Sequence, residues 1–164
     1  MSQRINYMKA APEASKMMFE MEKYLHDCSL ESSLLELVKM RASQINGCAY
    51  CLDMHSKDAR AAGETEQRLY CLPAWRETDF YNERERAALD LTEHLTLVAE
   101  RGVPDELYER VKKQFSEREL VDLTFAVVAI NGWNRLNVAF EPEVGGYQPG
   151  MFSAGKTTAL SANK

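Results

Sequence analysis

The residues best equipped for chemistry lie in one short stretch, NGCAYCLDMH, at positions 46 to 55. Cys48 and Cys51 are separated by two residues, and His55 follows four residues after Cys51. Side chains three or four residues apart are neighbours on a helix, so both thiols and the imidazole would share one face. A thiolate at a helix N-terminus is stabilised by free backbone N–H groups, and an adjacent imidazole can take or return its proton. The spacing therefore predicts a redox-active dithiol.

Two other interpretations of the same residues stay open. A tetrahedral zinc site needs four ligands, and this motif supplies only three. The sequence has no second C-x-x-C, and the remaining candidate ligands are isolated: His26, Cys28, Cys71 and His94. The pair could also be two inert thiols, because free cysteine is commonly buried. We assign no catalytic role to Cys28 or Cys71.

A single carboxylate, Glu36, lies among aliphatic residues in the segment LLELV upstream of the motif. One interpretation is structural, with Glu36 forming a capping box with Ser33 or lying at a solvated edge. The functional interpretation is a partly buried general base that serves the thiols, with a pKa raised towards neutrality by burial. The spacing alone does not separate the two.

The elements that must position these residues are all helical, because apolar residues recur at helical spacing in segment after segment. Asn46-Gly47 is a turn dipeptide, so the motif should occupy the first two turns of a helix. Gly132, inside the last helix, indicates close helix packing. The predicted helices span residues 12–26, 30–44, 48–62, 66–72, 83–101, 104–115 and 117–140.

One helical domain should cover residues 1–142, followed by a tail, residues 143–164, that is rich in Gly, Ser and Thr. We expect this tail to be either flexible or packed on a neighbouring subunit.

Charge and hydropathy exclude several classes of protein. Twenty Lys and Arg against 25 Asp and Glu give a net charge of -5, with the two signs interspersed, so nucleic acid is a poor partner. The chain shows neither a secretory signal nor a run of about 18 apolar residues that could span a membrane. We therefore expect a soluble, cytoplasmic protein, and in that reducing compartment a close cysteine pair is more often catalytic or metal-binding than a permanent disulfide.

The order Glu36, eleven residues, Cys48, two residues, Cys51, three residues, His55 resembles the active-site signature of the AhpD-like alkylhydroperoxidases. This family belongs to the carboxymuconolactone decarboxylase superfamily. The resemblance extends over residues 5 to 140 and includes three segments: LVKMRASQINGCAYCLDMHSKDARAAGE, RLYCLPAWRE and INGWNRLNVAF.

The resemblance implies an all-helical AhpD-like fold with the dithiol at the N-terminus of a helix. It implies that Cys51 is the activated thiol, that Cys48 forms the disulfide with it, and that Glu36 and His55 relay the proton. It also implies a hydroperoxide substrate, an external lipoamide-like dithiol or a protein as reductant, and no tightly bound cofactor. The expected assembly is a homo-oligomer, either a trimer or a hexamer built as a trimer of dimers.

One position departs from the family pattern. Better-studied members carry a histidine immediately before the second cysteine, and this chain carries Tyr50. A phenol with a pKa of about 10 cannot replace imidazole as a base near neutrality. Two other functions stay open: a carboxymuconolactone decarboxylase-type lyase, and a non-enzymatic redox-sensing protein. We expect Trp133, Asn134 and Arg135 to have structural or interface roles.

Overall fold

The computed structural model describes residues 3–152, and every regular element in that range is helical. This agrees with the all-α class predicted from the sequence. The α-helices are α1 Tyr7–Ala10, α2 Pro12–His26, α3 Ser32–Asn46, α4 Ala49–Ala61, α5 Glu66–Cys71, α6 Glu83–Thr96, α7 Val98–Arg101, α8 Asp105–Lys112 and α9 Glu117–Phe140, with a 3-10 helix at Leu72–Glu77 after α5.

A tight hairpin between α3 and α4 places the cysteine motif. Gly47 ends α3 in the left-handed conformation, at a φ of 65° that a residue without a Cβ adopts at little cost. Cys48 is the N-cap of α4, so it precedes the helix rather than lying within it. Its backbone N–H donates to the carbonyl of Ser43 at 3.1 Å, which holds the turn closed.

Helix α3 is central and packs against α4, α6 and α9. Its apolar side chains are buried on several sides. Burying one leucine or valine side chain contributes about 1.5 to 3 kcal/mol relative to leaving it exposed. The α3 side chains in this core are Leu34, Leu35, Leu37, Val38, Met40 and Ala42.

The capping boxes that begin α6 and α9 form as the sequence pattern indicates, from Asn82 with Glu85 and from Ser116 with Glu119. The single helix predicted over residues 83–101 is wrong, because the chain breaks at Leu97 between α6 and α7. In a continuous helix, residues eight positions apart are about 12 Å apart along the axis. Because the helix is broken at Leu97, Arg101 can instead come close to Glu93, and its Nη1 lies 3.3 Å from Glu93 Oε2.

The first part of the C-terminal tail packs on α4 of the same chain. Tyr147 is buried, and its hydroxyl donates to the carboxylate of Asp58 at 2.8 Å. Lys57 Nζ donates to the carbonyls of Gly145 and Tyr147 at 3.1 and 3.0 Å. The segment 145–147 thus has contacts within its own chain, and packing of the tail on a neighbouring subunit stays a prediction. The remainder of the predicted tail, residues 153–164, lies outside the described residues.

Gly132 lies where α9 meets α2, as its position in the sequence suggested. A Cβ built at this position would lie 2.9 Å from the terminal methyl of Met18, so the absence of a side chain permits the close approach. Within residues 3–152, no helix is both long enough and apolar enough to cross a membrane.

Candidate active site

The two thiols are buried between α3, α4 and α9. Cys48 is 1% exposed and Cys51 is 0% exposed, and both pack with Ala42 and Ile130. The backbone N–H of Cys51 donates to Cys48 Sγ at 3.4 Å. Cys48 therefore uses its sulfur as the N-cap acceptor of α4, a position that Ser, Thr, Asp or Asn usually occupies.

The N-cap position makes the two thiols unequal. A hydrogen bond from the Cys51 thiol lowers the pKa of Cys48, and backbone N–H groups and Asn134 help to bring it to about 7 although burial opposes the shift. The pKa of Cys51 is raised, first because its hydrogen is engaged by Cys48, and then by burial and by the charge on Cys48. Ionisation is therefore favoured at Cys48 over Cys51.

A hydrogen-bonded carboxylate and imidazole adjoin the dithiol. His55 lies one turn after Cys51, and its Nδ1 is 2.9 Å from Glu36 Oε2 on α3. The His55 ring is buried, and the Glu36 side chain is mostly so. The bond orients the ring and leaves Nε2 as the nitrogen that can exchange a proton with another group.

The predicted capping role of Glu36 is wrong, because Glu31 is the N-cap of α3 and makes no side-chain cap bond. The predicted rise in its pKa is also wrong. Burial raises the pKa of Glu36, but the hydrogen bond and charge of His55, with the charge of Lys39 at 4.0 Å, outweigh it, and the net shift is downward. Glu36 is therefore an ionised carboxylate at neutral pH, and in this form it orients the His55 ring.

Two functional contacts were not predicted from the sequence. Asn137 Nδ2, on α9, donates to Cys51 Sγ at 3.3 Å. The hydroxyl of Tyr7 donates to Asn137 Oδ1 at 2.8 Å. Both partners are distant in sequence from the motif, so no local pattern indicates them. A buried amide such as that of Asn137 needs a hydrogen-bond partner, but the sequence does not say which.

The predicted structural role of Asn134 agrees with its contacts. Asn134 is 1% exposed, donates to Ser43 Oγ at 3.0 Å and accepts from Asn46 Nδ2 at 2.8 Å. It thereby ties α9 to the end of α3, next to the turn that carries the dithiol. Trp133 donates from Nε1 to Glu22 at 3.1 Å, which joins α9 to α2.

Tyr50 packs against the thiol cluster and is partly buried. Burial raises its pKa, and the nearby charges of Cys51, Asp53 and Cys48 raise it further. Tyr50 is therefore a neutral phenol in the working range of pH, which agrees with the expectation that it cannot act as a base.

Three side chains that could bind a metal ion lie together, and two of them are the relay residues. Oxygen or nitrogen atoms of Glu36, His55 and Asp58 lie within 4.8 Å of one another. Each already has a protein partner, since His55 bonds Glu36 and Tyr147 donates to Asp58. Neither cysteine belongs to this group of three.

Comparison with known proteins places the chain in a family. The model of the carboxymuconolactone decarboxylase family matches residues 12–94, which is half of the sequence. The uncharacterized protein YdfG of Bacillus subtilis is 53% identical over 139 residues, covering 85% of this chain and 95% of that protein. The chain belongs to the carboxymuconolactone decarboxylase family.

Solved structures place this family member in the AhpD-like group. A protein of unknown function from Agrobacterium tumefaciens, suggested to be the antioxidant defence protein AhpD, matches with a TM-score of 0.85 and 43% identity. The match covers 89% of this chain and all of that one. The debrominase Bmp8 matches with a TM-score of 0.76 and 21% identity over 85% of this chain and 75% of its own, which shows a shared fold alone.

The AhpD-like fold and its site thus combine three capabilities in this family member. The N-cap holds one thiol as a thiolate, the Glu36–His55 pair can move a proton, and Asn137 presents a donor to the second sulfur. This set suits two-electron thiol chemistry in which each cysteine has a different task.

Proposed function

We propose that this protein is a thiol-dependent peroxidase of the alkylhydroperoxidase type, acting through the Cys48–Cys51 dithiol with a Glu36–His55 proton relay. The observation that carries the proposal is the position of Cys48. Its sulfur caps the helix that also bears Cys51 and His55, so the two thiols and the imidazole of the relay lie on adjoining turns. Two inert buried thiols would not require one sulfur to accept the N-cap hydrogen bond of the helix.

We assign the first step, attack on the peroxide, to Cys48, because its sulfur accepts the N-cap hydrogen bond and its pKa is lowered. Its thiolate attacks one peroxide oxygen, the O–O bond breaks, and the leaving alkoxide takes a proton from water to become the alcohol. Cys48 is then a sulfenic acid. The family resemblance implies Cys51 as the activated thiol. The proposal departs from that expectation because the N-cap hydrogen bond is made to the sulfur of Cys48, which also has the lowered pKa.

The second step gives Cys51 and the relay their task. The Cys51 thiol releases its proton through His55, and its sulfur attacks the sulfur of Cys48. The S–O bond breaks, hydroxide takes up the proton, and the products are water and the Cys48–Cys51 disulfide. An external dithiol of the lipoamide type then supplies two electrons and restores both thiols.

The test is peroxide-dependent oxidation of dihydrolipoamide by wild type, Cys51→Ser and Cys48→Ser. We expect turnover in the wild type only, because the disulfide needs both sulfurs. Equal rates in wild type and Cys51→Ser would sink the peroxidase proposal and leave a slowly oxidising redox sensor. A lyase of the decarboxylase type would keep its activity in Cys48→Ser, so this variant also separates the two enzymatic alternatives.

Association of several copies is a second part of the proposal. Helix α9 buries Leu123, Val127 and Ile130 on one side. Its other side leaves three large apolar residues about half exposed at helical spacing: Val121 at 50%, Phe125 at 45% and Val128 at 53%. Such a stripe is typical of an interface. Light scattering after size exclusion should give the mass of a trimer or hexamer, and a single-subunit mass would contradict it.

A further inference from the structure

Asn137 brings a hydrogen-bond donor to the sulfur of Cys51. Its Nδ2 donates to Cys51 Sγ at 3.3 Å, and its Oδ1 accepts the Tyr7 hydroxyl at 2.8 Å. Asn137, Cys51 and Tyr7 are 6%, 0% and 8% exposed. Both ends of the amide are therefore engaged away from water, and the oxygen end is held by Tyr7 so that the N–H end faces the sulfur.

Tyr7 is itself fixed by the N-terminal segment. Its ring packs on Phe140 with centroids 5.6 Å apart. The backbone N–H of Arg4 donates to the Phe140 carbonyl at 3.0 Å, and the Arg4 guanidinium donates to the Ala139 carbonyl at 3.1 Å. Burial raises the pKa of Tyr7, and the neighbouring thiols raise it further. Tyr7 thus stays a neutral donor over the working range of pH.

In the proposed cycle Cys51 has to ionise, although its surroundings oppose ionisation. Cys51 has to carry negative charge while it attacks the sulfenic acid, yet it is completely buried. The hydrogen bond to Cys48 is the first cause of the raised pKa of Cys51, followed by burial and by the charge of Cys48. Oxidation of Cys48 removes that charge, but burial continues to oppose ionisation of Cys51. A preoriented N–H group on that sulfur stabilises charge as it develops.

We propose that Asn137 is a catalytic residue that stabilises the Cys51 thiolate during disulfide formation, and that Tyr7 is the positioning residue that orients its amide. In this step the Cys51 S–H bond breaks and the S–S bond forms. The Cys48 S–O bond also breaks, and the released proton joins hydroxide as water. The inference rests on the proposed function only in assigning this step to Cys51.

The experiment measures the ionisation of Cys51 without requiring peroxidase activity. Cys48→Ser places a neutral hydroxyl where the oxidised cysteine would be, so Cys51 titrates alone. Thiolate absorbance near 240 nm is followed against pH, and the same protein with Cys51→Ser added is subtracted as background. Loss of a hydrogen bond to a charged sulfur should lower the thiolate fraction at fixed pH by about 10- to 100-fold in Asn137→Leu.

Tyr7→Phe should lower the same fraction by about 2- to 10-fold, because the amide loses its orienting partner but keeps its donor. The matched control is Tyr24→Phe, which removes a tyrosine hydroxyl bonded to Asp122 on the same helix at 2.6 Å. Asp122 lies fifteen residues before Asn137 on α9, about 22 Å along the axis. The control should leave the thiolate titration unchanged.

The outcomes separate this inference from the proposed function. An unchanged Cys51 titration in Tyr7→Phe and Asn137→Leu overturns the inference, even if both variants lose stability. An equal shift in Tyr24→Phe overturns it too. If Asn137→Leu does not fold, Tyr7→Phe alone decides, since it removes a single oxygen. A peroxidase-inactive wild type with the expected titration shifts would refute the proposed function and leave the Asn137 assignment intact.

Discussion

Replacing Glu36 by glutamine should stop the catalytic cycle at one identifiable intermediate. Glutamine keeps the shape of the side chain but removes the charge that bonds His55 Nδ1 at 2.9 Å. A hydrogen bond to a charged, mostly buried partner is worth about 1.5 to 3 kcal/mol, which corresponds to a rate decrease of about 10- to 100-fold. Because Cys48 ionises through the N-cap, the decrease should affect disulfide formation and spare the first attack on peroxide.

The assay mixes reduced protein with one equivalent of hydrogen peroxide, adds dimedone at successive times and maps the products by mass spectrometry. Glu36→Gln should accumulate dimedone-labelled Cys48, whereas the wild type should pass quickly to the disulfide. The control is Glu22→Gln, which removes a carboxylate bonded to Lys39 at 2.9 Å and leaves the Glu36–His55 bond in place. Disulfide formation at the wild-type rate in Glu36→Gln would refute the relay.

We also expect the difference in stability between wild type and Glu36→Gln to depend on pH. The pKa of Glu36 is lower in the folded protein than its ordinary value of 4.5, so folding favours the ionised form. Its contribution is complete above pH 4.5 and is lost as the pH falls through the folded pKa. In urea unfolding, wild type should therefore exceed Glu36→Gln in stability at pH 7, and the difference should shrink below pH 4.5. A constant difference from pH 7 to 3 would contradict the lowered pKa.

The remaining predictions concern the surrounding fold. Glu93→Gln should cost about 3 to 5 kcal/mol in urea unfolding, because the buried carboxylate, whose pKa is lowered to about 2 against the opposing effect of burial, accepts bonds from three arginines and an indole. Gly132→Ala should change stability by less than about 1 kcal/mol, since the gain in helix propensity offsets the displacement of the flexible Met18 methyl. In native protein, iodoacetamide should label the partly exposed Cys28 and Cys71 before the buried pair, and the reverse order on peptide mapping would contradict the burial.

The sequence predicts the helices and the local geometry of the motif because both depend on short-range patterns. Helical periodicity, the Asn46-Gly47 turn and the two capping boxes all act within a few residues, and each appears in the structure. Cys48 falls one position earlier than expected, as N-cap rather than first helical residue. That difference matters chemically, since it gives its sulfur a backbone N–H group.

Contacts between distant segments lay beyond such patterns. Cys51 and Asn137 are 86 positions apart in the chain, and Tyr7 and Asn137 are 130 apart. The direction of the Glu36 pKa shift depends on a balance between burial, which raises the pKa, and two basic neighbours, which lower it. Only the folded arrangement brings Lys39 and His55 to the same carboxylate. The sequence indicated that Glu36 is partly buried. It did not indicate that His55 and Lys39 together lower the pKa by more than burial raises it.

The central claim is that Cys48 attacks peroxide and Cys51 completes the disulfide. Its most direct test is a single turnover of reduced Cys48→Ser and Cys51→Ser with one equivalent of hydrogen peroxide, followed by dimedone mapping. We predict rapid labelling of Cys48 in Cys51→Ser and no rapid reaction in Cys48→Ser. Rapid labelling of Cys51 in Cys48→Ser, with an unreactive Cys48 in the other variant, would contradict the account.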